Sequence, residues 1–231
     1  MSDYQSIYLH QAAQYELMVS REDYQGNLLP ALNAIRPLDG LDGVELGAGT
    51  GRLTRQIAPL LRSLLALDIS QPMLDVLHEK LPQVKVAAAD NRAIPLMSQS
   101  ADVTIAGWSI AHSVGWYPET WREETGKTIA EMFRLLRPGG TVILLETLGT
   151  GNETPAPPNE GLAQFYTMLE ADYGFTRTAL RTDYQFESPA EGQALLRFFF
   201  GDELADRVVA EQLTILPECT GIWSSTLEQT G

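Results

Sequence analysis

Cysteine, positive charge and long apolar runs are all scarce in this sequence. The single cysteine, Cys219, excludes an internal disulfide and a metal cluster built from thiolates. No apolar run reaches the roughly 18 to 20 residues of a transmembrane helix. The opening residues lack the basic and apolar regions of a secretory signal peptide. Together these absences predict a cytoplasmic protein without a membrane segment.

Lysine and arginine number 16 against 30 aspartates and glutamates, so the formal net charge is −14. Proteins that bind nucleic acid draw much of their affinity from basic side chains that neutralise phosphates, and the sequence shows no basic cluster. The composition therefore disfavours tRNA or rRNA as a substrate. Solubility alone would also explain the excess of acids, and both interpretations stay open.

The remaining composition fits one globular domain over residues 1–231, of which 44% are hydrophobic. Between about residues 42 and 147, strand and helix signals alternate, which predicts βαβ units with a parallel sheet. The predicted class is therefore α/β. Five strands are predicted in this part of the chain, at residues 43–46, 64–68, 84–90, 102–108 and 141–146.

Apolar residues at helical spacing predict the helices between these strands. They cover residues 53–64, a segment that follows Ser70 with Pro72 in its first turn, and about 123–137. The sequence Arg-Pro-Gly-Gly at 137–140 predicts a turn before the fifth strand.

The last third of the chain has a different pattern. Residues 149–161 are rich in Gly, Pro, Asn and Thr and predict a loop. An apolar stripe over 162–173 predicts a helix, and Ser188 is the predicted cap of another. Two late strands are predicted, at about 177–186 and 212–224.

The most informative motif is Val-Glu-Leu-Gly-Ala-Gly-Thr-Gly at residues 44–51, where the first predicted strand ends. Its three glycines let the backbone turn sharply and let a ligand approach closely. Arg52 stands where the dinucleotide fingerprint requires a third glycine, which points away from NAD or FAD. Glu45 supplies acceptors for a positively charged or hydroxyl-bearing ligand.

Acidic side chains end the second and third predicted strands. Asp68 has the spacing from Glu45 at which an acid closing the second strand accepts both ribose hydroxyls. Asp90 ends the third strand, so both acids are expected at the edge of the sheet where the glycine loop lies. Each signal alone has a plainer reading, since a strand-end acid is often only a helix cap or part of a solvated turn.

The glycine loop, the two acids and the Arg-Pro-Gly-Gly sequence together resemble the motifs of class I S-adenosylmethionine-dependent methyltransferases, in particular their small-molecule, type 11-like branch. The resemblance covers about residues 40–147. It implies a Rossmann-like, doubly wound sheet of seven mostly parallel strands with helices on both faces. The last strand would be antiparallel and inserted between the fifth and sixth.

The resemblance also implies S-adenosylmethionine as cofactor, with S-adenosylhomocysteine as its product. The amino-acid end would lie on the glycine loop near Glu45, Asp68 would hold the ribose, and Asp90 would bind the adenine amino group with Asn91 against the ring. The implied cofactor-binding residues are Tyr15, Glu45, Gly47, Ala48, Gly49, Gly51, Asp68, Ile69, Met73, Asp90, Asn91, Gly107 and Trp108.

His112 is the candidate catalytic residue, because this branch often has a histidine a few residues past the fourth strand. A histidine can accept the proton that a hydroxyl or amine acceptor must lose. Packing against the cofactor or capping the next helix is the alternative role. The Asn-Pro-Pro-Tyr signature of amino-methylating enzymes is absent, and no metal site is predicted.

Segments outside the sheet are expected to select the acceptor. Residues 1–30 are predicted to form a helical lid in which Tyr4, Tyr8 and Tyr15 share a face. Residues 149–175 are predicted to form a substrate-side insertion, and 176–231 the C-terminal strands and helix around the 40–147 core. Aromatic stripes are more often plain core than ligand walls. The candidate substrate-binding residues are Tyr8, Trp116, Tyr117, Phe165 and Tyr166.

The predicted function is methyl transfer from S-adenosylmethionine to a small-molecule acceptor. Two alternatives stay open: a protein or RNA methyltransferase, and a non-catalytic regulatory protein that binds the cofactor. Neither a nucleic acid nor a membrane is predicted as a partner.

Overall fold

The computed structural model describes residues 7, 8 and 10–228, so Tyr4 and the rest of the predicted lid's first six residues lie outside the described part. Seven strands form one sheet, in the order β3-β2-β1-β4-β5-β9-β6, and β7 pairs with β8 separately. The strands are β1 (Asp42–Leu46), β2 (Ser63–Asp68), β3 (Lys85–Ala88), β4 (Ala101–Gly107), β5 (Leu136–Thr150), β6 (Thr176–Arg181), β7 (Tyr184–Gln185), β8 (Ile215–Leu216) and β9 (Glu218–Thr226).

The first five strands pair in parallel, whereas β9 runs antiparallel to both β5 and β6. This order confirms the predicted Rossmann-like sheet with an antiparallel last strand inserted next to the fifth. Because strand order reverses between β1 and β4, the crevice beyond their carboxyl ends is the expected ligand position.

Helices cover both faces of the sheet. They are α1 (Ala12–Val19), α2 (Leu28–Ile35), α3 (Thr54–Ile57), α4 (Gln71–Lys80), α5 (His112–Trp116), α6 (Trp121–Leu135), α7 (Glu160–Ala171), α8 (Pro189–Phe200) and α9 (Asp202–Ala210). The central strands are apolar almost throughout, because both of their faces are buried. In the described residues, no helix has both the length and the apolar character needed to cross a membrane.

Three apolar clusters hold these layers together. One joins α6 and α7 to a face of the sheet around Met132 and Leu169. A second joins α2 and α4 to the opposite face around Leu32 and Leu77. The third stands apart from the central sheet and packs α1 against α8, α9 and the small β7–β8 pair. The N-terminal helix is therefore anchored on the C-terminal helices.

Some element boundaries differ from the predicted ones. The helix predicted over 53–64 is only the single turn of α3, and the chain then makes turns until β2 begins. Residues 137–140 belong to the start of β5, where the pairing with β4 shifts register and Gly139 adopts a φ of +78°. The predicted turn is thus a bulge inside a longer strand. Each predicted late strand is divided, into β6 and β7 and into β8 and β9.

Candidate functional site

A cavity of about 370 Å³ lies beyond the carboxyl ends of β1, β2 and β4. Twelve of the thirteen predicted cofactor-binding residues line it, as do His112 and three of the five predicted substrate-binding residues. The predicted residues that line the cavity are Tyr8, Tyr15, Glu45, Gly47, Ala48, Gly49, Asp68, Ile69, Met73, Asp90, Asn91, Gly107, Trp108, His112, Trp116 and Tyr117.

The glycine loop after β1 forms one wall of this cavity. Gly47 has a φ of +66°, and a Cβ built on it would lie 2.4 Å from the Cβ of Ser109. Gly49 has a φ of +56°, and a Cβ there would meet only the Met73 Cε, at 3.8 Å. Glycine is therefore required at Gly47 by close packing, while Gly49 keeps the wall open for a ligand.

Asp68 connects this loop to the start of α4. Its carboxylate accepts hydrogen bonds from the backbone N–H groups of Gly49 and Ser70, both at 2.8 Å. Burial raises the pKa of Asp68, although these hydrogen bonds act in the opposite direction. A carboxylate offers about four acceptor positions, so Asp68 retains the capacity to accept two ligand hydroxyls.

Glu45 lies beneath the loop and is 1% exposed. One of its oxygens accepts a hydrogen bond of 2.7 Å from the Thr54 hydroxyl. Burial raises the pKa of Glu45 to about 8. A cationic ligand group beside it would lower this pKa and favour the carboxylate, so the residue suits an ammonium group.

Asp90 is engaged by a neighbour that the sequence did not single out. Its carboxylate accepts hydrogen bonds from the backbone N–H and the guanidinium of Arg92, at 2.9 and 2.6 Å, and this ion pair lowers the pKa of Asp90. The adjacent Asn91 has a buried side-chain oxygen with no hydrogen-bond partner among the described residues. Asn91 therefore provides the acceptor in this corner that remains available to an amino group.

His112 begins α5 on the opposite wall. Its Nε2 is 2.8 Å from the Tyr8 hydroxyl, and its ring stacks on Trp116 with centroids 5.0 Å apart. Tyr8 in turn packs edge-on against Tyr15. Burial lowers the pKa of His112 to about 4, so the imidazole is neutral near pH 7, and the same shift makes it a weak base.

Three predicted site residues do not line the cavity. Phe165 and Tyr166 are 0% and 2% exposed and lie in the apolar core between α7 and the sheet, which corrects their assignment to a substrate wall. Tyr166 stacks on Trp223 there, because the apolar face of α7 is used for packing. Gly51 lies behind the loop, with its missing Cβ facing Leu77.

The cavity also contains a residue that the sequence marked only as a departure from a glycine pattern. The guanidinium of Arg52 lies over the Trp108 ring, with its Cζ 3.3 Å from the ring centroid, and forms an ion pair with Glu22. The signal available in the sequence was a cation directly after the glycine loop. Its partners are distant along the chain and are brought together only by the fold.

In the part of the chain that the structure describes, no group of three or more His, Cys, Asp or Glu side chains is arranged to hold a metal ion. Other residues line the cavity without having been predicted: Leu53, Ser70, Ser109, Ile110, Ser113, Glu124 and Thr128.

The chain is similar to known methyltransferases. A family model described as a methyltransferase domain matches residues 44–144. An uncharacterized methyltransferase-like protein of Schizosaccharomyces pombe is 38% identical over 103 residues, which are 44% of this chain and 36% of that protein. The malonyl-[acyl-carrier protein] O-methyltransferase of Yersinia pestis is 28% identical over 109 residues, 47% of this chain and 37% of that protein. The matched part of the chain thus spans little more than a third of the length of each of these relatives.

Solved structures show the same fold. The YcgJ protein of Bacillus subtilis superposes with a TM-score of 0.57 at 12% identity, covering 88% of this chain and 98% of that one. Phosphoethanolamine N-methyltransferase 2 of Haemonchus contortus, in complex with S-adenosyl-L-methionine, has a TM-score of 0.57 at 17% identity, covering 99% of this chain and 60% of that one. These likenesses confirm the predicted fold.

Proposed function

We propose that this chain, which belongs through residues 44–144 to the class I S-adenosylmethionine-dependent methyltransferases of the type 11 branch, transfers a methyl group from S-adenosylmethionine to a small-molecule acceptor. The observation that carries the proposal is a single cavity with two unlike walls. One wall has the glycine loop and Asp68, and the other has the neutral His112 and the Trp116 ring.

The cavity residues fit the cofactor. Asp68 has acceptor capacity for the ribose hydroxyls, and the partnerless oxygen of Asn91 suits the adenine amino group. Glu45 and the open backbone at Gly49 suit the amino-acid end. S-adenosylmethionine, when bound, supplies a methyl group that is already activated as a sulfonium. The protein then has mainly to align the acceptor and exclude water.

The wall around His112 would receive the acceptor. The imidazole, held by stacking on Trp116, is neutral and would take the proton of a hydroxyl or amine as methyl transfer makes that group acidic. Tyr8, which is hydrogen bonded to His112, would orient the ring or contact the acceptor directly. Aromatic side chains dominate this wall, which suits an apolar or flat acceptor.

Residues outside the sheet would close the site. Tyr8 and Tyr15, which belong to the lid predicted over residues 1–30, line the cavity, and this supports a closing role for that segment. The 149–175 segment would act indirectly. Gly161 at the start of α7 lies so close to Val114 of α5 that a Cβ would be 2.8 Å from that side chain. We therefore assign this segment the role of supporting the helix that carries His112.

The two rival functions are disfavoured by different observations. A net charge of −14 opposes binding of an RNA phosphate backbone, and the volume of about 370 Å³ is at the small-ligand end of pocket sizes. A non-catalytic cofactor-binding protein would use His112 only for packing, whereas methyl transfer to a hydroxyl or amine also has a use for its proton-accepting nitrogen.

The test is to incubate the protein with methyl-labelled S-adenosylmethionine and separate fractions of small molecules, protein and RNA. We expect the protein to bind S-adenosylhomocysteine in calorimetry and to transfer label to the small-molecule fraction. Label found only in RNA or protein would replace the proposal with the first rival. Cofactor binding without transfer to any fraction, and with no effect of replacing His112, would replace it with the second.

A further inference from the structure

Arg52 is a buried cation in the wall of the cofactor cavity. Its side chain is 13% exposed and follows directly after the glycine loop. It pairs with the carboxylate of Glu22 and lies flat on the Trp108 ring. Its Nε, like the Trp108 Nε1, is buried without a hydrogen-bond partner among the described residues. The cation is thus held firmly while some of its donor capacity is unused.

The residues that contact Arg52 are themselves held in place by other contacts. Glu22 also accepts a hydrogen bond from the Thr182 hydroxyl, which is 2.6 Å from the Thr220 hydroxyl in the C-terminal strands. Trp108 has a φ of +50°, an unfavourable conformation for a residue with a side chain. Strained backbone of this kind is concentrated at functional sites. The strained backbone at Trp108 and the buried ion pair with Glu22 thus occur at the residues that contact the guanidinium.

Desolvating a guanidinium is costly. Glu22 and the Tyr15 hydroxyl do not satisfy all five of its N–H donors, since Nε has no partner among the described residues. Arg52 is charged like any arginine, and Glu22 raises its pKa further although burial acts in the opposite direction. A second anion entering the cavity would complete the hydrogen bonding of this cation. Arginine binds carboxylates in a paired, planar geometry, which adds specificity.

We propose that Arg52 binds the carboxylate of the cofactor's amino-acid end, while Glu22 and Trp108 hold its guanidinium in position. The inference rests on the proposed function, because it takes S-adenosylmethionine as the ligand. An amino-acid end carries an ammonium as well as a carboxylate. Glu45 and Arg52, one acid and one base lining the same cavity beside the glycine loop, match that pair of charges.

The test compares two ligands in calorimetry: S-adenosylhomocysteine and its decarboxylated analogue, which keeps the amine and lacks only the carboxylate. The native protein should prefer S-adenosylhomocysteine by roughly 10- to 100-fold, as for a lost charge-assisted hydrogen bond. Arg52→Gln should remove most of this preference by weakening only the ligand with the carboxylate. Arg55→Gln is the matched control, since Arg55 lies three residues later in α3, donates to the Val19 carbonyl and does not line the cavity.

Arg52→Gln leaves Glu22 buried without its counter-charge, so the double variant with Glu22→Gln is measured as well. It should fold with neither charge and should likewise have lost the preference. If either variant keeps the native preference, or if the native protein has none, Arg52 does not bind the carboxylate. Failure of the native protein to bind either ligand would instead contradict the proposed function.

Discussion

Asp68 is the residue on which the ribose part of the proposed cofactor site depends. Replacing it with Ala removes acceptors for two ligand hydroxyls and releases the Gly49 and Ser70 amides. We expect S-adenosylhomocysteine binding to weaken by about 1–3 kcal/mol, the cost of leaving polar groups unpaired. Calorimetry measures this directly. Asp75→Ala is the control, because Asp75 is an exposed acid on the neighbouring α4. Equal affinities for the two variants would remove Asp68 from the ribose site.

His112 provides a prediction on stability that does not require the acceptor. Its folded pKa, about 4, lies below the ordinary 6.5, so the unfolded chain binds the proton more readily. The stabilisation is complete above pH 6.5 and is lost as the pH falls toward 4. Because the ring is partly open to the cavity, we expect the native protein to lose about 1–2 kcal/mol more than His112→Asn between pH 7 and 5. Urea unfolding measures the difference, and parallel pH profiles would show that the ring is not buried as a neutral group.

Some residues of this site can be predicted from the sequence, and others cannot. Asp68 was predictable, because an acid at the end of a strand after a glycine loop is a local pattern. The role of Arg52 depends on Glu22 and Trp108, which no spacing connects to it. Phe165 has the helical periodicity of an aromatic wall, but core packing produces the same periodicity.

The element that most directly shapes the site is the loop between β1 and α3. Gly47 and Gly26 have nearly the same φ, +66° and +69°, but a Cβ at Gly26 would meet nothing within 4 Å. Gly26→Ala should therefore lower the free energy of unfolding by only about 1–2 kcal/mol, the cost of placing a residue with a Cβ in the left-handed conformation. Gly47→Ala should cost about 1–3 kcal/mol more, since its Cβ would overlap Ser109.

Denaturant unfolding and S-adenosylhomocysteine calorimetry of the two variants separate these effects. Only Gly47→Ala should also lose ligand binding, because relief of the overlap displaces the loop. Equal stability and equal binding of the two variants would mean that the loop tolerates a side chain and is not held against Ser109.

The sequence predicted which helices and strands exist better than it predicted the residues at which they begin and end. Strands and helices of the parallel half were identified because both follow from local hydrophobic period. The bulge at 137–140 and the division of the late strands depend on how β5 pairs with β4 and β9. Contacts between distant segments of the chain set the register of these pairings. The anchoring of α1 on α8 and α9 is likewise a tertiary property.

The molecule as a whole carries several buried acids in addition to its surface charge. Glu45, Glu146 and Glu218 are at most 4% exposed, and burial raises their pKa values to about 8, 8 and 7. Glu146 accepts a hydrogen bond from the Ala111 amide and so fixes the loop that leads to His112. Buried acids of this kind make the fold sensitive to alkali, opposite to the effect of His112.

Glu45→Gln tests this sensitivity, because glutamine can still accept the Thr54 hydrogen bond but cannot ionise. The folded pKa of Glu45 lies above its ordinary 4.5, so its stabilisation is complete below about pH 4.5 and is lost as the pH rises through about 8. Between pH 5.5 and 8 the native protein should therefore lose about 2–3 kcal/mol more of its free energy of unfolding than Glu45→Gln. Urea unfolding at several pH values measures the loss, with Glu211→Gln as an exposed control. Identical profiles for the native protein and Glu45→Gln would mean that Glu45 is ionised in the fold, which would favour a standing cationic partner over a site that waits for the cofactor's ammonium.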